Sequence, residues 1–266
     1  MPEPLTLDAP QFLEQDSSEM SWLPAPPETT LRTAEVHVFA FRLDPPTALE
    51  GLMPILSRDE KARASRFHFE IHRHRFLVGR AVLRQILGRY LECRPGNIRF
   101  KYEAAGKPVL DRSFSAADIQ FNLAHSEDLA LVAITRAGEV GVDLERVREI
   151  PEASELVARF FSGRESELFA RVPPDLQPQA FFNLWTRKEA WLKATGEGIA
   201  HLLNRVEVSF LPGEQTRLLA VPEIGVPAGK WTLSELGPAP GYAAALAVAF
   251  FPIQLRSFVW PNQKQI

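Results

Sequence analysis

The pattern of apolar and polar positions in the first half of the chain predicts a strand, two helices and then four short strands. Rough alternation over 35–42 is typical of a strand. Ser57, followed three residues later by Glu60, is a capping-box pair that opens a helix through Phe67. Apolar residues at helical spacing predict a long second helix, and short apolar runs predict the later strands. The predicted bounds are 73–91 for the long helix and 98–102, 119–123, 129–135 and 140–145 for the strands.

The same plan returns in the second half of the chain. A helix over 151–161 leads to a second capping-box pair, Ser162 and Glu165. A long helix over 179–195 follows and ends at Gly196. Strands are predicted over 206–210, 231–236 and 242–250.

The spacing within the two halves indicates a degenerate internal duplication. Phe76 follows Ser57 by 19 positions and Phe182 follows Ser162 by 20, and each aromatic residue starts a long helix. Chance agreement of so short a pattern is the alternative. A duplication predicts an α+β fold of two pseudo-symmetric halves, each a small antiparallel sheet with a long helix. The ligand site is then expected in the cleft between the halves.

Composition separates a short first segment from a globular remainder. The 266 residues are 45% hydrophobic and 24% charged, with a mean hydropathy of -0.11, so a disordered chain is excluded. Residues 1–30 hold six acids, six prolines and no lysine or arginine, which predicts a loosely ordered acidic leader. We divide the remainder into an N-terminal half, 31–138, and a C-terminal half, 139–266.

Cysteine content and hydropathy bear on the compartment. The single cysteine, Cys93, excludes an internal disulfide and a multi-thiolate metal site. No secretory signal pattern opens the sequence, so we expect a cytoplasmic protein. The longest apolar stretch, around 242–252, is well short of the roughly 20 residues that span a bilayer. No membrane association is therefore expected.

Positive charge is concentrated in residues 58–94. This segment holds ten lysines and arginines against four acids, and it includes His68, His72 and His74. A solvated helix face is the plain interpretation. Nucleic acid binding is disfavoured, because the sequence pI is about 6.1 and no nucleic-acid-binding motif is present. A small polyanion such as a nucleotide or coenzyme fits a local basic patch better.

Two carboxylates lie close together on the strand predicted at 140–145. Val140, Val142 and Leu144 alternate with Gly141, Asp143 and Glu145, so the two acids share one face. Like charges this close repel unless something neutralises them, and a divalent metal ion does so. A solvated polar face of a half-buried sheet is the alternative.

The long helix near the end of the chain carries a second group of charges. Phe181, Trp185 and Leu192 form an apolar stripe at about 100° per residue, and Lys188 falls inside it. Glu189 and Lys193 lie together at its edge. A surface i,i+4 pair is the alternative for these two residues, and snorkelling is the alternative for Lys188.

Four motifs in order resemble those of the 4'-phosphopantetheinyl transferases, and within them the long, surfactin-type class. The first two are Gly106-Lys107-Pro108 and Phe121-Asn122-Leu123-Ala124-His125-Ser126. The third is Gly141-Val142-Asp143-Leu144-Glu145. The fourth places Glu189 in a Trp-Thr-x-Lys-Glu-Ala-x-x-Lys-x-x-Gly-x-Gly frame. The resemblance covers about 56–199.

The resemblance implies an enzyme. Its reaction transfers phosphopantetheine from coenzyme A to a serine of an apo acyl or peptidyl carrier protein and releases 3',5'-ADP. It implies Mg²⁺ on Asp143, Glu145 and Glu189, with Glu189 also the candidate base. Lys193, and with it Lys188, would contact the pyrophosphate. The catalytic residues would be Glu189, Lys193 and Asp143.

The resemblance also implies a coenzyme A site in the N-terminal half. His125 and Lys107 would contact the coenzyme, and Lys61, Arg63 and Arg75 would grip its 3'-phosphate. Arg80 and Arg84 are alternates, with a solvated helix face as the plain interpretation. Surfactin-type enzymes often have serine where this chain has Ala124, so one hydroxyl donor is missing.

The C-terminal half would carry the carrier-protein contact beside the metal site. We expect an apolar surface in 196–219, flanked by arginines such as Arg205, to receive the carrier, with core packing as the alternative. Its members are Ile199, Leu202, Leu203 and Val206.

Length favours a monomer, because both halves of the site lie in one chain. Three other classes of protein are the alternatives. They are a non-catalytic binder of coenzyme A or carrier protein, an unrelated metal-dependent phosphohydrolase or nucleotidyl transferase, and a structural protein without a ligand.

Overall fold

A computed structural model describes residues 21–44, 49–103, 106–196, 203–222 and 227–261. Within these ranges the chain forms twelve strands and five α-helices. The helices are α1 (Arg58–Ala64), α2 (Glu70–Tyr90), α3 (Ala153–Phe160), α4 (Gly163–Phe169) and α5 (Gln177–Thr195). The strands are β1 (Trp22–Pro24), β2 (Glu35–Arg42), β3 (Phe100–Tyr102), β4 (Pro108–Leu110), β5 (Gln120–Ser126), β6 (Leu129–Thr135), β7 (Val140–Arg146), β8 (Glu207–Val208), β9 (Leu218–Ala220), β10 (Thr232–Leu236), β11 (Tyr242–Val248) and β12 (Gln254–Val259).

Two sheets pack face to face between two long helices. The first has the strand order β1-β12-β2-β6-β5 and the second the order β10-β11-β7. Inward residues of β2 and β6, such as Val38 and Leu131, form one apolar core with Val142 and Leu246 from the second sheet. The opposite face of the first sheet shares a core with α2. The opposite face of the second sheet shares one with α5.

Small residues allow α5 to lie close to the second sheet. Ala243, Ala245 and Ala247 of β11 face the core that α5 enters, and all three are buried. Alternation along β11 sends Ala244 and Leu246 to the other core, between the sheets. The helix therefore packs directly on β7 and β11, which is the pair of strands that positions the carboxylates.

Both predicted capping boxes are present, and they mark equivalent positions in the two halves. Ser57 accepts from the backbone N–H of Glu60 before α1, and Ser162 accepts from that of Glu165 before α4. Both glutamates are buried. In each half the glutamate forms ion pairs with the long helix that follows. Glu60 pairs with two arginines of α2, and Glu165 pairs with one lysine of α5. The expected α+β fold of two related halves is confirmed.

The first sheet differs from the expected antiparallel arrangement at one edge. β12 pairs in parallel with β2 and with β1, so this sheet is mixed, whereas the pairs β2–β6 and β5–β6 are antiparallel. β12 lies within the predicted C-terminal half but completes the N-terminal sheet. The boundary at residue 138 stays a prediction, and the pairing of β12 with β2 joins strands from either side of it.

Part of the acidic leader is ordered, which corrects the expectation for residues 21–30. Trp22, Leu23 and Pro24 form β1, and the indole N–H of Trp22 donates to the backbone oxygen of Gly237 at 2.7 Å. Ser257 Oγ donates to the backbone oxygen of Ser21 at 3.0 Å. The leader's remaining residues, 1–20, lie outside the described residues.

The longest apolar stretch of the sequence belongs to a sheet. Tyr242–Val248 is β11, a central strand that is buried along its whole length. Among the described residues, no helix is both long and apolar enough to cross a membrane.

Candidate active site

Strand β7 and helix α5 together carry the predicted carboxylates. Asp143 and Glu145 lie on one face of β7, opposite Ala245 and Ala243 of β11. Asp143 is buried and Glu145 is partly exposed. Helix α5 packs on β7 and adds Glu189, which is also buried. The structure therefore brings all three carboxylate residues to the same helix–strand interface.

Gly141 explains how the helix comes so close. A Cβ atom at this position would lie 2.0 Å from the backbone oxygen of Ala190 and 2.4 Å from the backbone nitrogen of Ala194. No real Cβ atom tolerates such distances, so the backbone of α5 occupies the space of a side chain. The glycine of the third motif thus sets the separation between the strand of Asp143 and the helix of Glu189.

Lys193 supplies positive charge at this interface. Its Nζ atom donates to Asp143 Oδ1 at 2.5 Å. Glu145 Oε2 accepts from Ser126 Oγ at 2.9 Å and lies 3.8 Å from Arg148. As the side chains stand, no three His, Cys, Asp or Glu residues of the described chain are arranged to hold a metal ion.

Two carboxylate oxygens at the interface are buried without a hydrogen-bond partner in the described chain. They are Asp143 Oδ2 and Glu189 Oε1. A buried, unpaired acceptor is costly, and the cost is larger when the group is ionised. Oxygens of this kind are the ligands that hard divalent cations prefer. The donor set therefore fits a divalent cation.

Burial shifts the protonation of these acids. It raises the pKa of Asp143, although Lys193 opposes the shift, and it raises the pKa of Glu145. Burial, reinforced by the negative charge of Asp143, raises the pKa of Glu189 to about 7. A carboxyl group with a pKa near neutral pH is suited to general-base work.

A pocket of about 190 Å³ lies beside this interface. It is formed by α1, α2, the β3–β4 hairpin, β5 and the start of β6. Three of the predicted coenzyme-binding residues, Arg63, Arg75 and His125, line it together. Lys61 is not among its described lining residues. Other lining residues are Leu43, Phe76, Gly79, Arg80, Tyr102, Gly106, Pro108, Leu123 and Ala130.

His125 lines the pocket, and its neighbour along the strand contacts one of the carboxylates. It lies on β5 next to Ser126, which donates to Glu145. Desolvation and the positive charges of Lys193 and Arg75 lower the pKa of the His125 ring. His125 therefore experiences the charge of Arg75 in the pocket wall and of Lys193, which pairs with Asp143.

Two of the three arginines that line the pocket, Arg75 and Arg63, are held differently. Arg75 pairs with Asp44 at 2.9 Å and with Glu127 at 3.2 Å, which raises the pKa of its guanidinium. Arg63 is exposed and lies over the rings of Phe76 and Tyr102. Sequence reasoning missed the partners of Arg75, because they are 31 and 52 residues away and no local pattern marks them.

Lys107 does not line the pocket as the structure describes it. Its Nζ atom donates to the backbone oxygens of Lys193 at 2.7 Å and Val140 at 3.3 Å. The expected coenzyme contact of Lys107 stays a prediction, and the neighbouring Gly106 and Pro108 do line the pocket.

The expected pyrophosphate contact of Lys188 is wrong. Lys188 is fully buried, and its ammonium pairs with Glu165 and donates to the backbone oxygen of Leu203 at 2.6 Å. The apolar stripe of α5 faces α4 and its capping-box glutamate, so a lysine in that stripe turns away from the site. The alternates Arg80 and Arg84 are also buried and bind Glu60 at 2.7 and 2.8 Å, but Arg80, unlike Arg84, lines the pocket.

We expect Lys188→Met to lower stability without weakening coenzyme binding. Removing one member of a buried ion pair strands the other charge and costs about 3 to 5 kcal/mol. Calorimetric or fluorescence titration with coenzyme A should give an unchanged Kd, while thermal unfolding should show a clearly lower Tm. The double variant Lys188→Met/Glu165→Gln should recover much of the loss. A higher Kd with an unchanged Tm would instead support the expected contact between Lys188 and the coenzyme.

The expected apolar surface for the carrier protein is corrected in part. Leu203 and Val206 are buried in the core around α5 and form no surface. Arg205 is exposed. Ile199 and Leu202 lie outside the described residues.

Comparisons with known proteins agree with the motifs. Residues 45–137 match the family model described as "4'-phosphopantetheinyl transferase, N-terminal", and residues 139–247 match "4'-phosphopantetheinyl transferase superfamily". The chain is 44% identical over 232 residues to the 4'-phosphopantetheinyl transferase HetI of Nostoc sp., covering 87% of this chain and 94% of that one.

Two further relatives and one solved structure are similar to the chain. The 4'-phosphopantetheinyl transferase psf-1 of Bacillus pumilus is 35% identical over 64% of this chain and 72% of its own. Sfp of Bacillus subtilis is 28% identical over 65% and 76%. A holo-[acyl-carrier-protein] synthase structure from Thermotoga maritima gives a TM-score of 0.34 at 24% identity, covering 41% of this chain and 61% of that chain.

These findings define the class of enzyme. The chain belongs to the 4'-phosphopantetheinyl transferase superfamily. Within it the chain is of the Sfp-like class, and it is an enzyme that modifies carrier proteins by 4'-phosphopantetheinyl transfer. Members of this family use coenzyme A as substrate and typically a divalent metal ion.

Proposed function

We propose that this transferase binds coenzyme A in the pocket beside His125 and uses Mg²⁺ held by Asp143, Glu145 and Glu189. The observation that carries the proposal is the pair of buried, unpartnered carboxylate oxygens, Asp143 Oδ2 and Glu189 Oε1. They belong to the interface of β7 and α5, where Lys193 donates to the other oxygen of Asp143. When bound there, the metal ion supplies Lewis-acid stabilisation of the negative charge on the pyrophosphate.

The chain's own residues bind and orient the two substrates. Arg63, Arg75 and His125 contact the phosphates of the coenzyme from the pocket wall, with the arginines as charge-assisted donors. The ammonium of Lys193 stabilises charge on the pyrophosphate from the α5 side. Phosphoryl-type transfer depends mainly on positioning and electrostatics, so these groups are sufficient for the reaction.

Glu189 takes the proton of the carrier serine, directly or through a water molecule. Its pKa of about 7 suits this role near neutral pH. The serine oxygen then forms a bond to the phosphorus on the pantetheine side of the pyrophosphate. The bond from that phosphorus to the bridging oxygen breaks, and 3',5'-ADP leaves with its electron pair.

We further propose that the enzyme works as a cytoplasmic monomer. Glu145 of the second sheet accepts a hydrogen bond from Ser126 of the first, so groups from both halves meet within one chain. Cys93 is free, which is compatible with a reducing compartment. A single species at monomer mass in light scattering would support this; a dimer that dissociates with loss of activity would contradict it.

The proposed metal dependence is tested by weighing the product. The protein is incubated with coenzyme A and a panel of apo acyl and peptidyl carrier proteins, and the carriers are analysed by mass spectrometry. We expect a gain of one phosphopantetheinyl group with Mg²⁺, none with EDTA, and recovery when excess Mg²⁺ is restored. A full gain in EDTA would contradict the metal assignment, and binding of coenzyme A without any gain would favour a non-catalytic binder.

A further inference from the structure

The side chain of Lys107 extends from the β3–β4 hairpin to the interface of β7 and α5, which carries the carboxylates. The hairpin turn is closed by hydrogen bonds from Gly106 N to Glu103 O at 2.8 Å and from Glu103 N to Lys107 O at 3.0 Å. Gly106 has a φ of 82°, a conformation that glycine adopts without strain. The backbone of Lys107 is therefore fixed, and its side chain alone reaches β7 and α5.

The two acceptors of Lys107 belong to the two elements that build the site. Val140 begins β7, and Lys193 lies in the last turn of α5. Carbonyl groups in the last turn of a helix lack partners within the helix. A cation there also interacts favourably with the helix dipole. Lys107 thus donates a hydrogen bond to a carbonyl group at the C-terminal end of α5. The same ammonium group also binds the start of β7.

The contact lies at the level where helix and strand approach most closely. Gly141, next to Val140, offers no side chain to hold α5, because the helix backbone fills that space. Lys193 takes part in two contacts here. Its backbone carbonyl accepts from Lys107, and its ammonium group binds Asp143 at 2.5 Å. Lys193 is thus bound at both ends, by Lys107 at its carbonyl group and by Asp143 at its ammonium group.

We propose that Lys107 is a positioning residue that clamps the C-terminal turn of α5 to β7 and so fixes Lys193 against Asp143. The inference rests on the proposed roles of Lys193 and Asp143 in the reaction. Through this clamp, the hairpin that lines the coenzyme pocket sets the geometry of the groups that act on the pyrophosphate.

The test separates kcat from KM. Lys107→Met keeps an unbranched side chain, one atom shorter, and removes its donors. We expect kcat to fall at least about tenfold, because displacement of a reacting group by about 1 Å can cost on the order of 10²-fold. KM for coenzyme A and Kd for 3',5'-ADP should stay within about twofold, since the clamp makes no coenzyme contact. Lys107→Arg, which keeps the donors, should restore part of kcat.

A matched control removes a lysine from the same hairpin. Lys101 lies on β3, is exposed and pairs with Asp111 at 3.2 Å, away from the site. Lys101→Met should leave kcat and KM unchanged. A second readout is hydrogen exchange in peptides covering 190–196, which should become faster in Lys107→Met and not in Lys101→Met.

Three results would overturn the proposal. A large rise in KM and Kd with normal kcat would show that Lys107 contacts the coenzyme. No change in any parameter would show that Lys107 neither positions Lys193 nor contacts the coenzyme. Unchanged exchange in 190–196 would also contradict a clamp. If Lys107→Met does not fold, Lys107→Gln is measured instead. Lys193→Ala is assayed in parallel, because full activity of that variant would refute the proposed role of Lys193 while exchange in Lys107→Met still tests the clamp.

Discussion

Glu189→Gln should lower kcat by at least about 10³-fold, since it removes a proposed charged metal ligand and the proposed base together. The substitution preserves the shape of the side chain, and Oε1 of Glu189 makes no hydrogen bond within the described residues that could be lost. The folded structure should therefore survive. Steady-state kinetics with saturating Mg²⁺, monitored by carrier mass, measures the effect. An activity within tenfold of the parent enzyme would refute both roles.

The same variant should change how stability depends on pH. The folded-state pKa of Glu189 is about 7, raised from 4.5, so the folded protein holds a proton that the unfolded chain releases. Stability is then lost as pH rises from about 4.5 through 7, by about 3 kcal/mol at about 1.4 kcal/mol per pKa unit. In EDTA, Glu189→Gln should therefore unfold at a higher Tm than the parent at pH 8 and at a similar Tm at pH 4.5.

An exposed glutamate supplies the control for both measurements. Glu167 lies on α4, and its side chain is exposed. Glu167→Gln should alter neither kcat nor the pH dependence of Tm. If Glu189→Gln unfolds earlier than the parent at pH 8, burial of that carboxylate does not destabilise the metal-free protein, and the electrostatic account of the site is wrong.

Gly141→Ala should cost both stability and activity, although the change adds one methyl group. The new Cβ would meet backbone atoms of Ala190 and Ala194 at 2.0 and 2.4 Å, and backbone cannot rotate away as a side chain can. We expect a loss of about 3 kcal/mol, at the upper end for overpacking in a core. The displaced α5 carries Glu189 and Lys193, so kcat should fall on the order of 10²-fold in the remaining folded protein.

Gly163→Ala is the matched control for this change. Gly163 opens α4, and a Cβ there would have no described heavy atom within 4 Å. Alanine is a better helix former than glycine by up to about 1 kcal/mol, so this variant should be as stable as the parent or more so. Chemical denaturation and kcat are measured for both. Equal behaviour of the two variants would show that the close contact at Gly141 does not matter.

Local patterns explain why much of the fold could be predicted. Each capping box is a contact between residues three positions apart, so Ser57 with Glu60 and Ser162 with Glu165 are readable in the sequence. Strand β2 has the predicted bounds, 35–42, and α5 ends before Gly196 as expected. The short strands β4 and β9 carry too few residues to show a period and were not predicted.

Non-local pairing accounts for the elements that were missed. Strand β12 lies more than 200 residues from β2 along the chain, and its parallel pairing with β2 leaves no trace in neighbouring positions. Strand β1 forms its backbone hydrogen bonds with β12, which is similarly distant along the chain. The same reason applies to Arg75, whose two carboxylate partners come from distant loops.

The helices, most strands of the two halves and the grouping of Asp143, Glu145, Glu189 and Lys193 can all be predicted from the amino-acid order. These properties depend on periodicity and on motifs, which are local. The partner of each charge depends instead on how the elements pack. Lys188 and Lys193 lie five residues apart on one helix, yet α4 pairs the first with Glu165 and β7 pairs the second with Asp143. A buried charge must find its counter-ion in space, and packing decides which element supplies it.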